Sequence, residues 1–457
     1  MDEAGVAETV AAIGALFEAG GAEDYIGEAV SQYEHAAQAA LQAGDEGADA
    51  EAVLAAFLHD IGHLAAPRTP ELDMAGLGTK GHERIGARWL LRHGFSARVA
   101  GLVKSHVEAK RYLVATDAAY AAALSPASRG TLEFQGGPMD DEEQRAFRAQ
   151  PWHEDAVRLR RWDDLAKDPE RACPPLEHFL GLCAEHLRAE QARREADARA
   201  KAAFDRDGYL HLAGALRGAE LEDLRAWIAE LASRPETPGR WMQYFEPGPA
   251  GQRQLCRIEC FLEEHAELDH LLRRSEVGRM VDVLMGEPAV IFKEKLNLKL
   301  PGGAGFAPHQ DAPAFTTFGQ RFHITLMLAV DDATPDNGCL ELIPGGHRDG
   351  QLPTAADGTI EPSHAETLPW QPLPVRAGDA VYFGSYLPHR SGPNQSQRSR
   401  RALYVTYNRL SEGGDVRAAY FRDKREVFPP DCERVPGRVY ASSGVYNIGN
   451  PIRSGTD

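Results

Sequence analysis

The sequence of 457 residues has few cysteines, no long apolar run and no excess of positive charge. Its six cysteines form no Cys-x-x-Cys pair and no dense framework, which argues against a disulfide scaffold and favours a reducing compartment. No apolar run approaches the length of a membrane span, and the start Met1-Asp2-Glu3 lacks the basic residues of a secretory signal. The net charge of -18 argues against nucleic acid or an anionic membrane as the main partner. We therefore expect a cytoplasmic protein that acts on a small molecule, with a homo-oligomer left open.

The two halves of the chain differ in their hydrophobic pattern. Up to residue 187 apolar residues recur at helical spacing, although residues 124–139 read as a loop. From residue 204 onward short alternating runs such as Lys295–Leu300 are separated by glycine and proline turns. Residues 188–203 between them are mostly Ala, Arg and Glu, a composition typical of a solvated connecting helix. The sequence thus predicts an all-α unit over 1–187, a helical linker over 188–203 and a barrel or sandwich of short strands over 204–457.

A histidine-aspartate pair, His59-Asp60, follows the apolar run Val53–Leu58 and is expected inside a buried helix. Burial penalises an unpaired charge, so the pair needs a partner or a metal. The dipeptide alone is a weak signal, because chance or a structural histidine explains it equally well. Its context is stronger, since acids and histidines fall on the predicted inward faces of successive helices: His35, His59, Asp60, His82, His106 and Asp163. Imidazoles with carboxylates suit iron, manganese or zinc, and a carboxylate can bridge two ions. Asp164 leaves the identity of the last ligand open.

This arrangement resembles the HD-domain superfamily, most members of which hydrolyse phosphate esters. A closer resemblance is to the mixed-valence di-iron oxygenases of that superfamily that cleave 2-amino-1-hydroxyethylphosphonate to glycine and phosphate. It rests on Tyr25 and Glu28, which recur at helical spacing with Gln32 and His35, and on the segments Asp24–Glu28, His106–Leu113, Leu132–Gly137 and Trp162-Asp163.

The resemblance implies a role for each matching residue. The six histidines and aspartates would hold two irons (Fe2+/Fe3+), with Asp60 bridging them. Tyr25 would cap one iron until substrate displaces it, and Glu28 would receive the substrate ammonium. The phosphonate group would bind Lys110, Ser128 and Gln135, and His63 would act near the substrate hydroxyl. A helix-surface pair remains the alternative for Tyr25 and Glu28.

A second candidate site lies in the β half, where His309-Gln310-Asp311 follows a glycine-rich turn and His389 follows the predicted strand at 380–383. Two histidines and one carboxylate form the facial triad of non-haem Fe(II) oxygenases, which leaves positions for a co-substrate and O2. Arg400, just before a predicted strand, can grip a 2-oxoglutarate carboxylate with two hydrogen bonds, although Arg401 is an alternative. Lys295, Asn297 and Lys299 share a strand face that either contacts 2-oxoglutarate or substrate, or is merely solvated.

The surroundings of this second site resemble the phytanoyl-CoA dioxygenase family, and in particular its 2-aminoethylphosphonate dioxygenase type. The resemblance covers residues 203–408 and rests on Asp207-Gly208-Tyr209, Pro308–Asp311, Pro344–His347 and His389–Asn394. It implies a double-stranded β-helix (a jelly-roll, cupin-like fold) with His309, Asp311 and His389 on Fe2+. Arg400, helped by Asn297 and Lys295, would bind 2-oxoglutarate. Other histidines of this half, such as His323 and His364, are interpreted as structural.

Together the two resemblances imply a bifunctional enzyme of phosphonate breakdown. The C-terminal half would hydroxylate 2-aminoethylphosphonate at carbon 1 with 2-oxoglutarate and O2, and the N-terminal half would cleave the C–P bond of the product. One alternative is the same chemistry on an N-methylated aminophosphonate. Another is an HD phosphohydrolase or sensor fused to an unrelated hydroxylase.

Overall fold

A computed structural model of the chain describes residues 2–25, 28–67, 69–315, 318–440, 446 and 448–449. The chain divides into two units, Met1–Ala196 and Asp197–Asp457, the first helical and the second rich in strands. This confirms the predicted fold classes. Within the described ranges we find no helix with the length and low polarity of a membrane span.

The first unit is a bundle of helices around a core of alanines and larger apolar side chains. Helices α2, α3, α6 and α10 supply the core positions nearest the predicted ligands. The helices of this unit are α1 Glu3–Gly20, α2 Gln32–Asp45, α3 Ala50–Leu58, α4 Ile61–Ala65, α5 His82–Arg92, α6 Ala97–Thr116, α7 Ala118–Ala123, α8 Pro126–Phe134, α9 Asp141–Arg148, α10 His153–Leu165 and α11 Leu176–Asp207.

The predicted linker lies inside α11, a helix of 32 residues. The division between the two units falls within this helix, after Ala196. The boundaries at residues 187 and 203 therefore stay a prediction.

Three local predictions about the first unit are wrong. His59-Asp60 does not lie inside a helix, because α3 ends at Leu58 and α4 begins at Ile61. Tyr25 and Glu28 do not continue the helix of His35: Ser31 and Glu34 form a capping box that starts α2 at Gln32. Tyr25 instead lies in a loop, where its N–H donates to the carbonyl of Val30, and the neighbouring Ile26 and Gly27 are outside the described residues. The expected loop at 124–139 contains α8, capped by Ser125.

The second unit contains two antiparallel sheets, the arrangement expected of a double-stranded β-helix. The larger sheet has the strand order β1-β9-β6-β11-β4-β3-β2, and the smaller has the order β5-β10-β7-β8. The strands are β1 Tyr209–Leu212, β2 Met242–Pro247, β3 Arg253–Glu259, β4 Ala289–Lys299, β5 Phe306–His309, β6 His323–Ala329, β7 Leu340–Leu342, β8 Gln371–Leu373, β9 Ala380–Gly384, β10 His389–Ser391 and β11 Arg400–Arg409. The helices are α12 Ala219–Ser233, α13 Ala266–Arg274, α14 Glu276–Met285, α15 Ala312–Phe315, α16 Pro362–Ala365 and α17 Arg417–Val427.

The two faces of the larger sheet have different chemistry. On one face Leu296 of β4 and Leu403 of β11 pack against helices α12 to α14. On the other face Tyr404 and Ala402 of β11 pack towards the smaller sheet. Lys295 and Asn297 pair in register with Tyr404 and Ala402, so these polar residues of β4 also face the space between the sheets.

Candidate metal centres

In the helical unit the predicted ligands converge as two groups of three. One group is His35, His59 and Asp163, and the other is Asp60, His82 and His106. The Nε2 atoms of His35 and His59 are 3.1 Å apart, as are those of His82 and His106.

Asp60 lies between these two histidine pairs. Its Oδ2 is 3.4 Å from Nε2 of His59, and its Oδ1 is 3.2 Å from Nε2 of His82. One carboxylate oxygen thus faces each pair, the arrangement that a bridging carboxylate requires. The break between α3 and α4 turns this carboxylate towards both.

The hydrogen bonds of the four histidines suit metal binding. Each Nδ1 atom is 2.6 to 3.1 Å from a backbone carbonyl oxygen, so Nδ1 carries the proton and Nε2 offers its lone pair to the cluster. Nε2 atoms 3.1 Å apart with lone pairs facing each other repel unless a cation lies between them. The donor set therefore fits two metal ions.

Asp163 and Asp164 have different surroundings. Oδ1 of Asp163 is 3.4 Å from Nε2 of His35, while its Oδ2 accepts from Arg160 at 2.5 Å. Asp164 instead pairs with Arg160 and accepts a hydrogen bond from the hydroxyl of Tyr120 at 2.7 Å. The structure therefore places Asp163 at the cluster and Asp164 beside it.

A cavity of about 50 Å³ that is partly open to solvent lies beside this cluster. The ring of Tyr25 stacks on His35 with centroids 3.6 Å apart. Burial, followed by the Asp60 carboxylate, raises the pKa of Tyr25 well above its usual range. Burial and the neighbouring His82 lower the pKa of His63 to about 3, so this ring is neutral. The predicted site residues that line the cavity are Tyr25, Glu28, Asp60, His63, His82, His106, Lys110, Ser128, Gln135 and Asp163.

Three polar lining residues were not predicted from the sequence: Thr131, Arg160 and Lys167. Lys110 donates to Oγ1 of Thr131 at 2.6 Å and to Oε1 of Gln135 at 2.9 Å. The Lys167 ammonium lies 2.7 Å from Oε1 of Glu28, so the predicted ammonium receptor already holds a cation. Arg160 could have been found from its position one helical turn before Asp163. Nothing in the sequence marks Thr131 or Lys167.

In the second unit His309, Asp311 and His389 come together, with ligand atoms within 4.8 Å of one another. His309 of β5 and His389 of β10 are direct partners in the smaller sheet. Their Nδ1 atoms are 2.7 Å and 3.0 Å from the carbonyls of Ala307 and Leu387, which again leaves Nε2 free. Oδ2 of Asp311 accepts from the hydroxyl of Thr325 at 3.2 Å. This set fits one metal ion with open positions.

The side chains of Arg400 and Arg401 lie in different surroundings. Arg400 is 1% exposed, and its Nε and Nη1 have no hydrogen-bond partner within the described ranges. Its Nη2 is 3.3 Å from the hydroxyl of Tyr404. The Arg401 guanidinium instead donates two hydrogen bonds of 2.8 Å to the Asp331 carboxylate. Because a buried guanidinium with free donors needs an acceptor, Arg400 fits a ligand carboxylate.

The polar residues of β4 line the same interior. Lys295 lies 5.3 Å from the Tyr404 ring, and burial lowers its pKa to about 8. Oδ1 of Asn297 accepts a hydrogen bond of 3.2 Å from Nε of Arg257. Arg257 was not among the residues predicted from the sequence. Lys299 donates to Ser391 and Gly392. Asn297 and Lys299 are buried and Lys295 is only partly exposed, so the alternative of a merely solvated strand face is wrong.

Comparison with known proteins agrees with this division. Residues 204–402 match the phytanoyl-CoA dioxygenase family, and residues 32–168 match the HD domain. The chain is 50% identical to the 2-aminoethylphosphonate dioxygenase of an uncultured bacterium (HF130_AEPn_1), over 54% of this chain and 95% of the relative. It is 40% identical to the hydroxymethylphosphonate dioxygenase of Gimesia maris, over 36% of this chain and 83% of the relative. It is 38% identical to the glycine-betaine-forming 1-hydroxy-2-(trimethylamino)ethylphosphonate dioxygenase of Leisingera caerulea, over 37% of this chain and 86% of the relative.

Each of these relatives is matched over most of its own length but covers only part of this chain, as expected when two families meet in one polypeptide. The chain is a non-haem iron dioxygenase that belongs to the phytanoyl-CoA dioxygenase family through residues 204–402 and to the HD-domain family through residues 32–168.

Proposed function

We propose that the chain oxidises an aminophosphonate in two steps, one in each unit. The C-terminal unit hydroxylates carbon 1 of 2-aminoethylphosphonate, while 2-oxoglutarate and O2 become succinate and CO2. The N-terminal unit then uses a second O2 to cleave the C–P bond of 2-amino-1-hydroxyethylphosphonate, which yields glycine and phosphate. Relatives named for phosphonate hydroxylation and for hydroxyphosphonate oxidation support this pairing.

One observation carries the proposal: Asp60 directs one carboxylate oxygen at each of two histidine pairs beside a cavity that contains Lys110. Iron bound by these side chains would supply the activation of O2, which side chains alone do not provide. Lys110 and Gln135 would hold the phosphonate group, because an ammonium and an amide donor match its oxygens. Ser128 lies on the same wall.

Tyr25 and Glu28 would make the cluster selective for its substrate. A hydrolase benefits from a metal-bound water, whereas an oxygenase gains from keeping that position covered until substrate arrives. Tyr25 would cover the cluster, and its stacking on His35 supports this role. Glu28 would receive the substrate ammonium in exchange for Lys167, and His63 would contact the substrate hydroxyl.

In the C-terminal unit the triad would hold Fe2+, and Arg400 would bind the distal carboxylate of 2-oxoglutarate. Its two free donors and its burial support this role. Lys295 and Asn297 would position the rest of the co-substrate. The proposed partner of the whole chain is thus a small anionic organophosphonate.

Product analysis on protein loaded with iron under nitrogen tests the proposal. With O2 and 2-oxoglutarate, 2-aminoethylphosphonate should give glycine, phosphate and succinate; without 2-oxoglutarate it should give none. Supplied 2-amino-1-hydroxyethylphosphonate should be cleaved without 2-oxoglutarate. Preference for the trimethylammonium substrate would favour the N-methylated alternative. Hydrolysis of simple phosphate esters without O2 uptake would favour a phosphohydrolase, and binding without turnover would favour a sensor.

A further inference from the structure

Two polar side chains in the C-terminal unit, Lys293 and His323, lack hydrogen-bond and ion-pair partners in the part of the chain that the structure describes. The Lys293 ammonium lies 4.0 Å from the centroid of the Phe315 ring. The His323 ring lies 5.0 Å from the same centroid, is 0% exposed, and has no partner at either nitrogen. Two donors thus lie beside one aromatic ring, with no acceptor for them among the described residues.

The acidic groups nearest to Lys293 are already occupied. Glu259 pairs with Lys424 and with Arg257. Asp311 belongs to the metal triad and accepts from Thr325. Burial without a bonded anion lowers the pKa of Lys293 well below its usual range, and an enclosed imidazole without an acceptor is likewise unfavourable. An anionic ligand would restore the charge of Lys293 and satisfy both groups together.

The strand register shows where Lys293 lies relative to the metal triad and to Arg400. Lys293 of β4 is opposite Thr406 of β11, and the hydroxyl of Thr406 is 3.1 Å from that of Thr325, the donor to Asp311. At the other end of β4, Lys299 is opposite Arg400. Lys293 and Lys299 are six positions apart on this extended strand, about 20 Å at about 3.3 Å per residue. Arg400 and Lys293 therefore lie towards opposite ends of the ligand-facing surface.

We propose that Lys293 and His323 form the subsite for the phosphonate group of the substrate in the C-terminal unit. The inference rests on the proposed function and names residues that it leaves unassigned. Arg400 takes the 2-oxoglutarate carboxylate at one end, and the substrate phosphonate occupies the other. Lys293 supplies a charged donor and His323 a neutral one, so a phosphonate receives hydrogen bonds from two directions.

Substrate titration of three variants tests this subsite. Lys293→Met removes the charge and keeps the length, Lys293→Arg keeps the charge, and His323→Phe keeps the aromatic packing but removes both ring nitrogens. Succinate formation gives the KM for 2-aminoethylphosphonate, since only the C-terminal unit consumes 2-oxoglutarate. Calorimetry under nitrogen on iron-loaded protein that also carries Asp60→Ala gives the Kd without turnover and without the N-terminal cluster.

We expect Lys293→Met to raise KM and Kd at least 20-fold for 2-aminoethylphosphonate and equally for methylphosphonate, which shares only the phosphonate. His323→Phe should raise both about 5-fold, and Lys293→Arg should recover most of the affinity. The Kd for 2-oxoglutarate should change less than twofold. Lys201→Met removes the same charge from the surface of this unit and should change none of these values.

Four outcomes separate the possibilities. If Lys293→Met raised the Kd for 2-oxoglutarate rather than for the phosphonates, Lys293 and His323 would belong to the co-substrate site and the inference would be overturned. Phosphonate binding unchanged in both Lys293→Met and His323→Phe would also overturn it. Loss of affinity for 2-aminoethylphosphonate with an unchanged affinity for methylphosphonate would contradict a phosphonate subsite. A wild-type protein that forms succinate from neither phosphonate would instead refute the proposed function itself.

Discussion

The two metal clusters use the same residue types but differ in how their carboxylates are employed. Asp60 faces a histidine pair with each oxygen, whereas Asp311 gives one oxygen to the hydroxyl of Thr325. Asp60 directs its two oxygens at two histidine pairs and could join two ions, whereas Asp311 lies beside the single pair His309 and His389 and could serve one ion. The helical scaffold brings side chains from several directions to the same point, while the neighbouring strands β5 and β10 would hold a single ion from one side.

The cations of the two interiors differ in a second way. In the helical unit Lys110 and Lys167 have protein partners, Gln135 and Glu28. In the strand-rich unit Nε and Nη1 of the Arg400 guanidinium have no partner among the described residues. Binding of the proposed substrate to the first site would therefore require exchange of internal contacts, whereas the second site would be prepared for an anion before it arrives.

The largest expected effect is the loss of one step with retention of the other. Asp60→Ala should reduce C–P cleavage about 100-fold or more and release the N-terminal metal, because the carboxylate contacts both histidine pairs. Asp311→Ala should do the same to succinate formation. Metal analysis with product assays on both substrates measures this. If either variant, still folded by circular dichroism, silenced both steps, the two clusters would not be independent.

Arg400→Ala should weaken 2-oxoglutarate binding about 10- to 100-fold, since a buried charge-assisted pair contributes about 1.5–3 kcal/mol. Arg401→Ala is the matched control, because its guanidinium is bound to Asp331 at 2.8 Å. Its effect on the KM for 2-oxoglutarate should stay below about twofold, as for other partly exposed ion pairs. Equal effects of the two changes would remove the distinction between them.

Some contacts of the candidate sites could be predicted from the sequence, and others could not. The convergence of His309 with His389 and of His35 with Asp163 could be predicted, because ligand chemistry restricts which residues meet. The bridging position of Asp60 was implied only by the resemblance to a known family, since its orientation arises from the break between α3 and α4. The pairing of Lys167 with Glu28 joins residues 139 positions apart and leaves no local pattern.

Tyr25 shows the opposite error, in which a local pattern misled. Its spacing to His35 fits a helix, yet the Ser31 cap starts that helix later and leaves Tyr25 in a loop. The ring still reaches His35 by stacking on it. The helical spacing was therefore wrong, while the position of Tyr25 beside His35 agrees with the role that the resemblance implied.

The contrast between the sites also predicts a pH dependence for the N-terminal one. Burial, followed by the nearby Arg160 charge, lowers the pKa of Lys110 to about 7. The protonated fraction of free Lys110 falls as pH rises through this value, so binding of a phosphonate weakens on the alkaline side. The Kd for 2-amino-1-hydroxyethylphosphonate should rise by up to about tenfold per pH unit above pH 7.

Calorimetry at pH 6.5 to 8.5 measures this trend, with Lys110→Arg as the control. A guanidinium stays protonated throughout that range, so the variant should lose the alkaline weakening even if its affinity is lower. The same slope in both proteins would place the titrating group elsewhere.

The smallest expected effect separates Lys167 from the other cations. The Lys167 ammonium and the Glu28 carboxylate are 2.7 Å apart and each side chain is about one-fifth exposed, so a substrate ammonium would have to displace Lys167 to reach Glu28. Lys167→Met should free Glu28 for the substrate ammonium and lower the KM for 2-amino-1-hydroxyethylphosphonate about threefold. Hydroxymethylphosphonate has no ammonium, so the uncompensated Glu28 carboxylate would repel its phosphonate in the same cavity, and its KM should rise. Lys104→Met removes an equal charge from an exposed position on α6 and should shift neither value. Opposite shifts for the two substrates require that Lys167 occupies the place of the ammonium, because loss of a purely structural contact would raise both KM values together.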